Sequence, residues 1–173
     1  MGFAKAAALR ATCDRKHVGA VIVVGKQVVS TGYNGSIRGM EHCSEGPCEM
    51  ESDEKWHPHD GAQGEFCRLC SRGNAQRVCD KNPGAGHDME NGSCVRTIHA
   101  EMNALAQAAN HGTRVGGSSI YTTASPCWPC FRVLVNAGVL RFVYAEEYKA
   151  GGLDHLKRIR PVAEKLGLQV VHL

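Results

Sequence analysis

Two short stretches of this chain combine residue types that bind and activate a metal. The first is His99-Ala100-Glu101. The second is Pro126-Cys127-Trp128-Pro129-Cys130. An imidazole and two thiolates, from His99, Cys127 and Cys130, are zinc ligands. Three protein ligands leave a fourth position for water, the arrangement of a catalytic zinc. Zinc brings the pKa of such a water to about 7. Glu101 lies two residues past His99, so its carboxylate stands beside the metal instead of ligating it. There it can take a proton from the water and return it to a ring nitrogen and a departing amine, which is general acid–base work. A lone Cys-x-x-Cys or His-x-Glu is a weak signal. The two together, in this order and each at a helix start, form the H-x-E and P-C-x-x-C signature of zinc deaminases acting on nucleobases. The competing reading is a closed zinc knuckle in which a fourth Cys or His completes the shell and Glu101 is a solvated surface residue.

These residues need rigid elements to hold them. Phe3 to Thr12 reads as a short helix. Ala20 to Val24 is a continuous apolar, β-branched strand, Gly25-Lys26 a tight turn, and Gln27 to Thr31 a returning strand. Gly32 to Gly35 reads as a turn cluster. Regular signals resume with a helix over Thr97 to Asn110. A strand over Ser119 to Thr123, a helix over Cys127 to Ala137 behind Pro126, and a strand over Leu140 to Ala145 follow. Leu153 to Leu166 is helical in tendency, with Pro161 expected to kink or split it. Leu168 to Val171 is a last strand. Strands joined through helices imply parallel neighbours. The expected fold is α/β: a three-layer α/β/α domain with a mixed five-stranded sheet and a Cys/His-rich insertion. The expected organisation is a single domain over 1–173 with the insertion at 49–92.

Composition bounds the function. The chain has 173 residues, 43% hydrophobic and 21% charged, and a formal net charge of +3. That is one compact globular domain. The mild positive excess suits a small anionic ligand better than a dedicated nucleic-acid surface. No apolar run reaches a membrane span. Lys5 and Arg10 interrupt the N-terminal apolar stretch, so no secretion signal is expected, and Ala6 breaks the myristoylation pattern. The reading is a cytoplasmic protein. Its nine cysteines are an odd number and cannot all pair within the chain. In that setting clustered Cys favours metal over disulfides.

From about Gly39 to Ser93 the chain is rich in Gly, Cys, His, Pro and charge and lacks apolar periodicity. A structureless stretch of that length is unusual in a compact domain. Its cysteines and histidines point to metal staples. Cys67-Arg-Leu-Cys70 with Cys79 and His87 could close one tetrahedral site. Cys13, Cys43, Cys48 and Cys94 lie outside that group, and His42, His57 and His59 are alternative ligands. The contrasting reading is a flexible, partly oxidised loop.

Several stretches resemble the deoxycytidylate deaminase branch of the cytidine deaminase superfamily, in its bacterial and phage form. They are Arg10 to Arg15, Val18 to Val23, Gly32-Tyr33-Asn34-Gly35, Ile98 to Ala104 and Tyr121 to Cys130. The Gly-Tyr-Asn-Gly stretch favours this branch over tRNA and free-base deaminases. The resemblance implies one catalytic zinc and hydrolysis of dCMP to dUMP and ammonia, a step of pyrimidine nucleotide metabolism. It also implies homo-oligomers, with dCTP and dTTP as allosteric effectors in many members. Residue by residue, it implies that Asn34 binds the substrate sugar or phosphate and that Arg15 approaches the phosphate. Tyr148 would close over the nucleotide, and the backbone of Ala124 and Ser125 would receive the cytosine amino group. Asn34 could instead supply only a left-handed turn, Arg15 and Lys16 only a solvated face, and Tyr148 only rim packing; Arg38 could also reach phosphate. Relatives often carry a second, structural zinc. One or two such sites are implied; with two, the resulting three-zinc arrangement would use all nine cysteines. Two further readings stay open: a deaminase of another cytosine compound such as dCTP or a modified nucleotide, and a zinc-binding interaction module acting through the insertion.

Overall fold

A computed structural model of the chain describes residues 1–13, 15–40, 42, 89–90, 93–149 and 153–173, without the side chains of Met89, Glu90 and Ser93. It falls into two compact units. The first comprises Met1–Ala11, Lys16–Asn34 and Ile98–Leu173; the second comprises Thr12–Arg15 and Gly35–Thr97.

The first unit opens with α1 (Gly2–Ala8), followed by the hairpin of β1 (Gly19–Val24) and β2 (Gln27–Tyr33). Gly25 and Lys26, with φ of 55° and 69°, make its turn. Then come α2 (Ala100–Asn110), β7 (Ser119–Ala124), α3 (Trp128–Asn136), β8 (Arg141–Glu146), α4 (His155–Lys165) and β9 (Gln169–His172). The five strands form one sheet in the order β2-β1-β7-β8-β9. β1 is antiparallel to β2 and β7, whereas β7–β8 and β8–β9 are parallel. This is the mixed five-stranded α/β sheet that the sequence implies, and the parallel pairs are those joined through helices.

Two glycines mark where helices meet the hairpin. A Cβ on Gly19 would fall 2.0 Å from the carbonyl oxygen of Ala4, in α1. A Cβ on Gly32 would fall 2.2 Å from that of Ala100, in α2. Gly32 pairs with Ala20, the neighbour of Gly19. Successive residues face opposite sides of a sheet, so α1 and α2 cover opposite faces. The main core lies on the α2 side. Ala20, Ile22, Ile120 and Phe142 from the sheet meet Ala104 and Ala108 of α2, Phe131 and Leu134 of α3, and Ile159 and Ala163 of α4. The layers are therefore α/β/α.

Three details correct the sequence reading. Gly32 and Tyr33 belong to β2, not to a turn, because Gly32 is there for the close approach of α2. The α2 helix begins at Ala100, and Thr97–Ile98 is a short strand instead. Pro161 does not split α4, which runs unbroken over His155–Lys165. The ring removes one backbone hydrogen bond on an exposed helix face, where water can satisfy the orphaned carbonyl.

The second unit contains β3 (Gly35–Ser36), β4 (Met89–Glu90), β5 (Ser93–Cys94) and β6 (Thr97–Ile98, whose last residue belongs to the first unit). β3 pairs with β6, and β4 pairs antiparallel with β5. Apart from Met89–Glu90, the insertion expected at 49–92 lies outside the described residues. Among the described residues no helix is long and apolar enough to cross a membrane.

Candidate metal centre and its surroundings

The three expected ligands come from two helix starts. His99 is the N-cap of α2 and Cys127 the N-cap of α3; both have extended backbone. Pro129 and Cys130 lie in the first turn of α3, so Cys130 returns to the side of Cys127. Helix N-termini carry partial positive charge, which favours thiolate.

The ligand atoms of His99, Cys127 and Cys130 all lie within 4.8 Å of one another. His99 Nδ1 is 3.3 Å from Cys127 Sγ and 3.5 Å from Cys130 Sγ. Both cysteines are buried and His99 is half-buried. Among the described residues this is the one cluster of His, Cys, Asp and Glu able to hold a metal ion. A hydrogen bond from Cys130 holds the Cys127 thiol well below its ordinary range, with His99 adding to the effect. The same bond, with burial, pushes Cys130 up. One imidazole nitrogen and two sulfurs form a donor set that fits zinc.

Glu101 occupies the second position of α2 and is only 3% exposed. It is outside the ligand cluster yet close enough to feel His99 and Cys127 electrostatically. Burial pushes its carboxyl from 4.5 to about 7, against a lowering by His99. A group poised there can hold or release a proton near neutral pH. A solvated surface carboxylate would not be buried in this way.

The sheet fixes α2 through side chains. Ser30 Oγ donates to the carbonyl of Ala104 at 2.6 Å, and Asn103 Nδ2 donates to the carbonyl of Tyr33 at 2.8 Å. The Asn103 amide N–H also donates to the His99 carbonyl at 3.0 Å. Asn103 was not singled out in the sequence, although it stands within the Ile98–Ala104 stretch.

Asn34 is buried, and its amide is clamped at both ends. Its Oδ1 accepts from the Val18 N–H and its Nδ2 donates to the Lys16 carbonyl, each at 2.7 Å. Lys26 is the one non-glycine with positive φ among the described residues. Asn34 therefore does not serve a left-handed turn. Ser125 is buried and donates its backbone N–H to the Glu146 carbonyl at 2.8 Å. Its Oγ accepts the Tyr148 N–H at 2.9 Å. Tyr148 is half-buried, and this bond ties the segment just after β8 to the turn leading into Cys127. Lys16 and Glu146 also meet here, 3.4 Å apart, and Lys16 Nζ lies 4.7 Å from the centre of the Tyr148 ring. Sequence reasoning treated Lys16 as solvated face and overlooked Glu146. Nothing local in the sequence signals a pair 130 residues apart.

Arg15 and Arg38 are exposed residues of the second unit. Cys13 is buried and Cys94 half-buried in that unit. The other expected structural ligands, Cys43, Cys48, Cys67, Cys70, Cys79 and His87, and the alternatives His57 and His59, lie outside the described residues; His42 is exposed.

Comparison with known proteins agrees with this geometry. A family model described as MafB19-like deaminase matches residues 1–168. The deoxycytidylate deaminase of Enterobacteria phage T4 is 34% identical over 141 residues, covering 79% of this chain and 70% of that protein. That of Mycobacterium phage D29 is 32% identical over 147 residues, covering 85% and 91%. ComE operon protein 2 of Bacillus subtilis is 35% identical over 142 residues; the match covers 82% of this chain and 54% of that protein, so the chain spans about half its length. Among solved structures, the dCMP deaminase of cyanophage S-TIM5, in complex with dCMP and dUMP, superposes with a TM-score of 0.63. The match has 24% identity and covers 99% of this chain and 92% of that one. At that identity the likeness concerns the fold.

Proposed function

This chain belongs to the MafB19-like deaminase family, and on that premise we propose that it is a zinc hydrolase converting dCMP to dUMP and ammonia. The observation that carries the reading is the buried Glu101 beside the His99, Cys127 and Cys130 cluster. The phage relatives described as deoxycytidylate deaminases support the choice of substrate.

His99, Cys127 and Cys130 would hold the metal. When bound, zinc supplies the charge that makes a water molecule acidic near neutrality. Glu101 accepts a proton from the attacking water. It passes that proton to N3 of the cytosine ring, then takes the remaining proton from the new hydroxyl at C4 and delivers it to the departing amine. The carbon–nitrogen bond breaks, ammonia leaves, and the water oxygen remains as the new carbonyl. The Ser125 N–H is already committed to Glu146, so the main-chain carbonyls at Ala124 and Ser125 are the groups suited to accept hydrogen bonds from the cytosine amine. Asn34 keeps one N–H and one lone pair beyond its clamp, enough to contact the sugar or phosphate. Tyr148 closes over the nucleotide, and Arg15 approaches the phosphate.

The cofactor proposal extends to further, structural zinc held by Cys13, Cys43, Cys48, Cys94, Cys67, Cys70, Cys79 and His87. Metal analysis of the purified protein is expected to find two or three zinc ions per chain; one ion would overturn it. A cytoplasmic homo-oligomer responding to dCTP and dTTP completes the reading. Sedimentation with and without each nucleotide tests that part.

The deciding experiment offers the zinc-loaded protein dCMP, dCTP, CMP, deoxycytidine and cytosine separately and follows loss of the amino group. Preferred turnover of dCMP is expected. Preferred turnover of another compound would overturn the substrate and keep the zinc chemistry. No turnover with metal bound would overturn the enzyme reading in favour of an interaction module.

A further inference from the structure

A nucleotide has an amine at one end and a phosphate at the other. The metal cluster, Glu101 and Ser125 account for the amine end; at the phosphate end the proposed contacts are Arg15, an exposed side chain, and the neutral amide of Asn34. We infer that Lys16, in addition to the Arg15 and Asn34 contacts proposed above, reads the substrate's anionic group, and that the Glu146 carboxylate occupies its ammonium until the substrate arrives. This rests on the nucleotide deaminase reading above.

The placement is specific. Asn34 clamps the backbone immediately after the Lys16 side chain, at the Lys16 carbonyl and the Val18 N–H. The side chain then lies across the Tyr148 ring, with Nζ 4.7 Å from its centre. Tyr148 is bonded through its N–H to Ser125 Oγ, and Ser125 stands two residues before Cys127. Thus an ammonium group is held, through one aromatic ring and one hydroxyl, against the turn that carries a metal ligand. Lysine binds phosphate as a point charge on a flexible stem.

The anion now beside it is poorly secured. The side chain of Glu146 is 71% exposed and that of Lys16 is 32% exposed. An exposed carboxylate pair of this kind is weak, and a phosphate carries more charge. Exchange of one anion for the other is therefore favourable, and Tyr148 and Asn34 keep the ammonium in place while it occurs.

The test is the ratio of kcat/KM for dCMP to kcat/KM for deoxycytidine, which differ by the phosphate. In Lys16→Met the ratio is expected to fall about tenfold or more, as loss of a charge-assisted contact implies, chiefly through KM for dCMP. Lys16→Arg should largely restore it. Glu146→Gln should raise the ratio, because the competing carboxylate is gone. A ratio unmoved in Lys16→Met overturns the inference. So do Lys16→Met and Glu146→Gln ratios that shift in the same direction, since a merely structural ion pair would affect both alike. Wild-type protein that prefers dCMP while Lys16→Met keeps the ratio sinks Lys16 alone. Wild-type protein that deaminates deoxycytidine as well as dCMP, or neither, sinks the nucleotide reading and Lys16 with it.

Discussion

Gly32 and Ala104 stand backbone to backbone: a Cβ on Gly32 would fall 2.3 Å from the Ala104 amide nitrogen. The helix bearing Glu101, with His99 at its cap, is thereby set at a depth that only glycine allows. Gly32→Ala must push that helix away from the sheet. Overpacking of this kind costs ~1–3 kcal/mol. A fall in Tm together with lower zinc occupancy is expected. An unchanged Tm would mean that α2 lies farther from Gly32 than backbone contact.

Replacing Glu101 by Gln keeps shape and burial but removes the proton acceptor. Loss of a positioned general acid–base group lowers kcat by about 10²–10⁴-fold. Zinc content, measured on the same preparation, is expected to stay at the wild-type level because Glu101 is outside the ligand cluster. Retained turnover would return Glu101 to the role of a surface residue.

Much of this arrangement was legible in the sequence, for a physical reason. Metal ligation and acid–base work need particular groups at particular spacings, so the candidates His99, Cys127 and Cys130, and Glu101 beside them, announce themselves locally. The sheet was legible too, because β-branched runs such as Ala20–Val24 and helices between strands leave periodic signals. Gly32 misled, since close approach and turn formation both demand glycine and only the packed helix tells them apart. Asn34 was noticed, but its clamp on Lys16 and Val18 is a tertiary fact. Lys16 and Glu146 were invisible as a pair because the sheet, not the sequence, makes them neighbours.

Ser125 offers a third test. Its Oγ accepts the Tyr148 N–H at 2.9 Å, and Ser125→Ala removes that acceptor. An amide left without its bond in a partly buried place costs ~1–3 kcal/mol. The segment after β8 that carries Tyr148 loosens, so KM for dCMP should rise more than kcat falls. A fall in kcat with KM unchanged would place the role of Ser125 in the reaction step instead.

The carboxyl of Glu101 also predicts how the metal-free protein responds to pH. Burial raises its pKa from 4.5 to about 7 in the folded chain. Below pH 4.5 both folded and unfolded chains hold the proton, and the group imposes no penalty. As pH rises toward 7 the unfolded chain releases its proton first, the folded chain binds more protons, and stability falls. Above 7 both forms are ionised and the loss is complete. A shift of that size corresponds to a loss on the order of 3 kcal/mol. Cys127 titrates as well, so the comparison must be with Glu101→Gln, which keeps the cysteines. With metal stripped from both, the stability gained by Glu101→Gln over wild type is expected to grow between pH 4.5 and about 7. Denaturant melts at several pH values read it directly. A gap that stays flat across that window would show a carboxylate open to water.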